Sequence, residues 1–206
     1  SHIKGLIINF FDHFWPGLLQ IRGFLQEFIT PIIKCIKGKQ ELSFFTIPQY
    51  KNWETNENEA KRGWKIKYYK GLGTSTASEA KQYFSSLQTH RLEFEYGGPS
   101  DNDRISLAFA KEKVDKRKEW LADFEPGTFF DYTRDQLTFS NFVDKELILF
   151  SLADNERSIP SMMDGLKPSQ RKVLFACFKR KLKNEIKVAQ LSGYISEHAA
   201  YHHGEA

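Results

Sequence analysis

Arg157, Lys167, Arg171 and Lys172 are four cations set in a stretch punctuated by Pro160, Gly165 and Pro168. Proline fixes its backbone and glycine permits a turn, and Pro168 stands where a helix prefers to begin. Arginine and lysine held on stiff backbone suit a polyanion, and the phosphates of DNA are the commonest such partner. The patch extends further. From Lys167 to Lys187 there are eight basic residues and one acid, Glu185, a local charge of +7 in a chain whose net charge is +4. A solvated helix face is the competing explanation, but such faces usually mix both signs.

Other chemistry is thinner. Lys70-Gly71-Leu72-Gly73-Thr74-Ser75 sits between an expected strand and an expected helix, the layout of a phosphate cradle, yet it lacks the Gly-Lys-Ser/Thr of a Walker A loop. A tight turn with a solvated lysine fits the same residues. Tyr201-His202-His203-Gly204 forms a turn before a helix start, where backbone N–H groups and the helix dipole favour an anion. A metal would need a third ligand at suitable spacing, and none stands there. Asp101-Asn102-Asp103 has the spelling of a magnesium pair but opens a helix, which makes it a cap. No Ser, Cys or Tyr is paired with a base at a telling distance. The residues alone describe a DNA-binding segment without a complete chemical site.

The elements that must position these groups read as an α/β protein. Of 206 residues 40% are hydrophobic, and 18 Phe, 8 Tyr and 4 Trp argue against disorder. Cys35 and Cys177 match no metal or redox spacing and point to a reducing compartment. The apolar run Leu6 to Trp15 is too short to cross a bilayer, and no signal peptide is visible. Residues 3–15 predict a helix apolar on most sides and therefore buried. Residues 24–36 predict a strand around Pro31, Lys37-Gly38-Lys39 a turn, Leu42 to Ile47 a returning strand, and Asn52 to Arg62 an exposed connection. Trp64, Ile66 and Tyr68 alternate with polar neighbours as on a half-buried strand. Thr76 and Glu79 make a capping box for a helix from about Ala77 to Leu87. Asp101 to Phe124 predicts a helical region carrying Lys116-Arg117-Lys118, residues 128–140 look irregular, and Phe142 to Phe150 is expected to be helical. Pro168 to Arg180 predicts a helix with Val173, Leu174, Cys177 and Phe178 on its packing face. Lys187 to Ala200 predicts another, burying Val188, Leu191 and Ile195. Helix, helix, sharp turn, helix is the helix-turn-helix arrangement.

Taken together, Arg157-Ser158-Ile159-Pro160-Ser161, Asp164-Gly165-Leu166-Lys167-Pro168 and Gln170-Arg171-Lys172-Val173-Leu174-Phe175 closely resemble the start of the winged-helix domain of type IIA DNA topoisomerases. Tyr201-His202-His203-Gly204-Glu205 and Tyr68-Tyr69-Lys70-Gly71-Leu72-Gly73-Thr74-Ser75 resemble further signatures of the eukaryotic topoisomerase II family, and Ser1-His2-Ile3-Lys4-Gly5-Leu6 resembles the segment after the metal-binding acids of its TOPRIM domain. The resemblance implies three pieces: the C-terminal part of a TOPRIM domain with appended strands (1–98), a helical linker (99–150) and the first helices of a winged-helix domain (151–206). It implies an ATP-hydrolysing isomerase, a nuclear homodimer that breaks one DNA duplex through phosphotyrosyl links, passes another through and reseals, with Mg2+ assisting scission and no membrane. Residue by residue it implies DNA contacts at His2, Lys4, Lys70, Arg117, Lys118, Arg157, Lys167, Arg171, Lys172 and Tyr201, and stabilisation of developing charge at the scissile phosphate by His203. The ligands of magnesium and ATP and the nucleophilic tyrosine, which the family carries in an Arg-Tyr pair, are expected outside these residues, so the fragment alone is expected to be inactive. A non-catalytic winged-helix DNA-binding scaffold is the alternative. An RNA-binding module would need stacking aromatics exposed on a sheet.

Overall fold

A computed structural model describes residues 1–56, 63–69, 75–132 and 136–201. The chain divides into two compact units, Ser1–Leu149 and Phe150–Ala206. No described helix is long and apolar enough to cross a membrane.

Among the described residues the first unit holds two three-stranded sheets, and Pro31 lies where the chain leaves one for the other. The single strand expected over 24–36 is two: β1 (Gln26–Phe28) in one sheet and β2 (Ile33–Lys37) in the other. Proline cannot donate to a ladder, so a continuous central strand through Pro31 is disfavoured. The β2–β3 hairpin turns at Gly38, whose φ of 60° is open to glycine at little cost, and β3 (Gln40–Phe44) starts earlier than expected. On the other side of β2 lies β4 (Lys65–Tyr68), also antiparallel.

Alternate residues of β2 face opposite ways, and both faces are covered. Ile33 and Cys35 are buried with Tyr50, Phe44, Trp53 and Trp64, under helix α3 (Ile47–Asn56). Residues 52–56 therefore belong to a helix, not to the exposed connection expected there. On the opposite face Lys34, 2% exposed, pairs with Glu41 at 2.6 Å and lies over the rings of Tyr83 and Tyr69. Tyr83 comes from α4 (Ala77–Ser85), which begins at the expected capping box.

The other sheet runs β1–β5–β6, with β5 (Arg91–Glu95) antiparallel to β1 and parallel to β6 (Gln136–Thr138). Neither β5 nor β6 is anticipated above. Leu92, Phe94 and Leu137 point inward, and Phe94 stacks on Phe139 at 5.2 Å. The helix expected over 101–124 is broken at Ala110 into α5 (Pro99–Phe109) and α6 (Val114–Ala122), and the one expected from Phe142 starts earlier, as α7 (Phe139–Phe142) followed by a π-helical turn over Val143–Leu147. Asp101, 1% exposed, ties these pieces: it accepts from Gly97 N at 2.7 Å, from Ser140 N at 2.8 Å and from the Ser140 hydroxyl. The N-cap of α5 is Gly98, so Asp101 is not the cap expected there; from the first turn it links the start of α5 to the start of α7.

Helix α1 (His2–Phe14) meets this layer along one stripe. A Cβ on Gly5 would stand 3.0 Å from the ends of both the Leu147 and Phe109 side chains, so a larger residue would have to push them back. Burial on most sides is not what the helix shows: Gly5 and Ile8 are buried, while Ile3, Leu6, Ile7, Phe10, Phe14 and Trp15 are exposed. Its neighbours among the described residues are α5, the π-helical turn and the short helix α2 (Pro16–Leu19) that follows it, and Lys4 and Phe11 reach Glu27 and Phe24.

The second unit contains most of α8 (Ile148–Ser158), then α9 (Pro168–Lys179) and α10 (Val188–His198). Helices α9 and α10 pack together, burying Ala176 and Ile195. Val173, Leu174 and Phe178, expected on the packing face of α9, are exposed, as is Val188 of α10.

Candidate nucleic-acid interface

Arg157 sits in the last turn of α8, its guanidinium bound to Asp154 at 2.7 Å and laid over the Phe150 ring. The loop that follows is held by its own backbone. Ser161 N donates to Leu166 O, Gly165 N donates to Ser161 O, and Gly165 takes a φ of 69°. Asp164 accepts from Leu166 N at 3.0 Å and takes a two-toothed grip on Arg171, with Nε and Nη2 at 3.0 and 2.9 Å. Arg171 and the Leu166 amide hold the Asp164 carboxyl below its usual range. Lys167 N donates to Gln170 Oε1 at 2.8 Å, closing the start of α9.

Two of the four cations thus have a local acid, Asp154 for Arg157 and Asp164 for Arg171, and both pairs are exposed. Exposed pairs of this kind exchange readily with solvent and ligands. Among the described residues no acid pairs with Lys167 or Lys172. Lys172 instead donates to Ala200 O at 3.0 Å, reaching from α9 to the segment after α10, where Tyr201 is half-buried. Met162 and Met163, at the tip of the loop, are 99% and 91% exposed, a feature that sequence pattern does not flag.

In the first unit the expected DNA contacts have different surroundings. Lys4 lies between Glu27, at 2.7 Å, and Glu146, and Glu146 also accepts from Tyr132 OH at 2.9 Å. Burial pushes the Glu27 carboxyl up against the opposing pull of Lys4, and burial together with the two glutamates pushes the Tyr132 hydroxyl up. Arg117 donates from Nη1 to Leu107 O at 2.8 Å and Ala110 O at 3.0 Å, closing the C-terminal end of α5. Lys118 pairs with Asp115 on an exposed turn. His2 is exposed on the first turn of α1. Lys70 and His203 lie outside the described residues.

Glu79 is more than the capping residue that the sequence identifies. One carboxylate accepts from Thr76 N at 2.7 Å, from Lys67 Nζ at 3.2 Å and from the Tyr69 hydroxyl, so it joins the end of β4 to the start of α4. The Thr76 amide, then the Tyr69 hydroxyl, lower its pKa to about 2. Among the described residues no three His, Cys, Asp or Glu side chains converge as a metal-holding group. Glu27 and Glu146 come together with the Lys4 ammonium between them.

With this geometry in view, known proteins supply the context. The family described as the C-terminal associated domain of TOPRIM matches residues 28–155, and the DNA gyrase/topoisomerase IV family matches residues 157–206. Over its whole length the chain is 58% identical to DNA topoisomerase 2-beta of Gallus gallus and 56% identical to DNA topoisomerase 2-alpha of Homo sapiens. It spans only 13% and 14% of those proteins. Among solved structures it resembles the DNA-binding, cleavage and re-ligation domain of Plasmodium falciparum topoisomerase II, with a TM-score of 0.83, 57% identity, and coverage of 98% of this chain and 28% of that one. The likeness to eukaryotic topoisomerase II and the mixed α/β fold are as the motifs imply.

Proposed function

The chain belongs to the family of the C-terminal associated domain of TOPRIM, and from that premise we propose that it is the DNA-binding portion of an ATP-dependent type II DNA topoisomerase. The parent protein changes DNA topology by cutting a duplex, passing another through and resealing it, and acts as a nuclear homodimer. The observation that carries this reading is the rigid loop-and-helix segment Arg157–Lys172, which matches the DNA gyrase/topoisomerase IV family where the exposed cations stand. The chain divides in function as 1–98 (TOPRIM part with appended strands), 99–150 (helical linker) and 151–206 (start of the winged helix).

Arg157, Lys167 and Arg171 grip phosphates of the duplex, and Tyr201, Lys118 and His2 add contacts from their own elements. Lys70 contributes from the segment after β4, and His203 donates to the scissile phosphate as charge develops there. Magnesium and ATP act in the parent protein. Among the described residues no three His, Cys, Asp or Glu side chains form a metal-holding group, and we infer that acids elsewhere in the parent hold magnesium, where it would stabilise charge on the phosphate.

Replacing Lys167 or Arg171 by Ala in the parent protein should weaken binding to a short duplex and flatten the salt dependence, each lost phosphate contact removing about 0.9 from the slope of log affinity against log salt. Unchanged slopes in both variants would remove the phosphate role. A parent that binds duplex and relaxes no supercoiled DNA would leave the non-catalytic scaffold in its place.

A further inference from the structure

Lys172 and Arg171 are adjacent in α9, yet each is committed to a different turn. Arg171 holds the loop before the helix through Asp164. Lys172 crosses to the far end of α10 and donates to the carbonyl of Ala200 at 3.0 Å. Ala200 is one of two non-glycine residues described with positive φ, at 48°. Alanine rarely adopts that conformation, and it persists only where neighbours enforce it. The residues around it are also fastened. His198 stacks on Tyr194 with ring centroids 4.0 Å apart, its Nδ1 lies 3.2 Å from Tyr194 O, and Ala199 N donates to Ile195 O. A hollow of about 560 Å3 opens between the two helices here, with Arg171 and Phe175 on one side and His198 and Ala200 on the other.

We propose that Lys172 is a positioning residue, whose ammonium fixes the Ala200 carbonyl and thereby the direction in which Tyr201 leaves α10, and that it does not itself grip phosphate. The consequence for cleavage rests on the function proposed above; the local role does not. An ammonium has three donors and no acceptor, so the bond to the carbonyl keeps the charge and ties the Ala200 carbonyl to α9. A phosphate contact and a backbone clamp also fail differently. Loss of a contact appears in affinity and its salt slope, whereas loss of a clamp appears in a step that needs geometry.

The test compares Lys172→Met, which keeps the aliphatic stem, with Lys172→Arg, which keeps a donor, in the full-length parent. Amide hydrogen exchange in the peptide containing Ala199–Tyr201, without DNA, should speed up tenfold or more in Lys172→Met and return toward wild type in Lys172→Arg. Unchanged exchange overturns the clamp, whatever the parent does to DNA. With a short duplex, Lys172→Met should lose no more than about threefold in affinity, while cleavage at saturating duplex falls about tenfold. A salt slope shallower by about 0.9 would make Lys172 a phosphate contact and overturn the proposal. So would a saturated cleavage rate equal to wild type. A wild-type parent that cuts no DNA would refute the proposed function and leave the exchange result to decide the clamp.

Discussion

Lys4 of the first unit and Arg171 of the second are both cations from the same inventory of DNA contacts, and the fold treats them in opposite ways. Lys4, its side chain 29% exposed, lies between Glu27 and Glu146, which are 15% and 12% exposed. Arg171 and Asp164 stand 49% and 41% exposed on a surface loop. Removing one member of an enclosed group strands the other charges away from water, whereas an exposed pair exchanges partners at little cost. Charge alone therefore does not mark a ligand contact. The second unit offers Arg157 and Arg171 outward; the first uses Lys4, Lys34 and Arg117 to hold its own layers together.

The sharpest way to break this contrast is Lys4→Met. If Lys4 is internal, the substitution leaves two neighbouring glutamates uncompensated and should lower the stability of the chain by about 2–4 kcal/mol in denaturant unfolding. A loss below about 0.5 kcal/mol, the usual range for surface positions, would return Lys4 to the list of free cations.

Glu79 gives a smaller effect with a definite sign. Its folded pKa is near 2 against an ordinary 4.5. On acidification the unfolded chain takes up the proton first, so the stabilisation is complete above about pH 4.5 and is lost as pH falls through about 2. Glu79→Gln should remove about 1–2 kcal/mol at neutral pH, allowing for water at the site, and should flatten the fall in stability between pH 4.5 and 2. Equal slopes for the two chains across that window would mean that the Thr76, Lys67 and Tyr69 contacts do not favour the charged form.

What the sequence makes legible follows the distance over which each feature is decided. The Thr76–Glu79 box, the Gly38 hairpin and the Pro168 helix start depend on residues within four positions of one another, and all three stand in the structure. Strand β5 had a readable signal in the alternation Arg91-Leu92-Glu93-Phe94-Glu95, whereas β6 is three residues long and leaves almost none. Helix α1 is apolar on most sides, so its pattern does not single out the stripe that will be covered. The pairing of Lys4 with Glu146 and of Lys172 with Ala200 is decided by tertiary packing, and no spacing in the chain encodes either.

The contrast can be sharpened most gently at Asp164, seven residues from the arginine it pairs with. Asp164→Asn keeps an oxygen for the Leu166 amide, so the turn retains its acceptor while the charge beside Arg171 is removed. Because the pair is exposed, the melting temperature should barely move. In the parent protein the affinity for a short duplex should rise about twofold at low salt, and the gain should fade as added salt screens the missing charge. A fall in affinity would carry the opposite lesson: that Asp164 acts chiefly by aiming the guanidinium, and that even the outward-facing cations of the second unit depend on an internal partner.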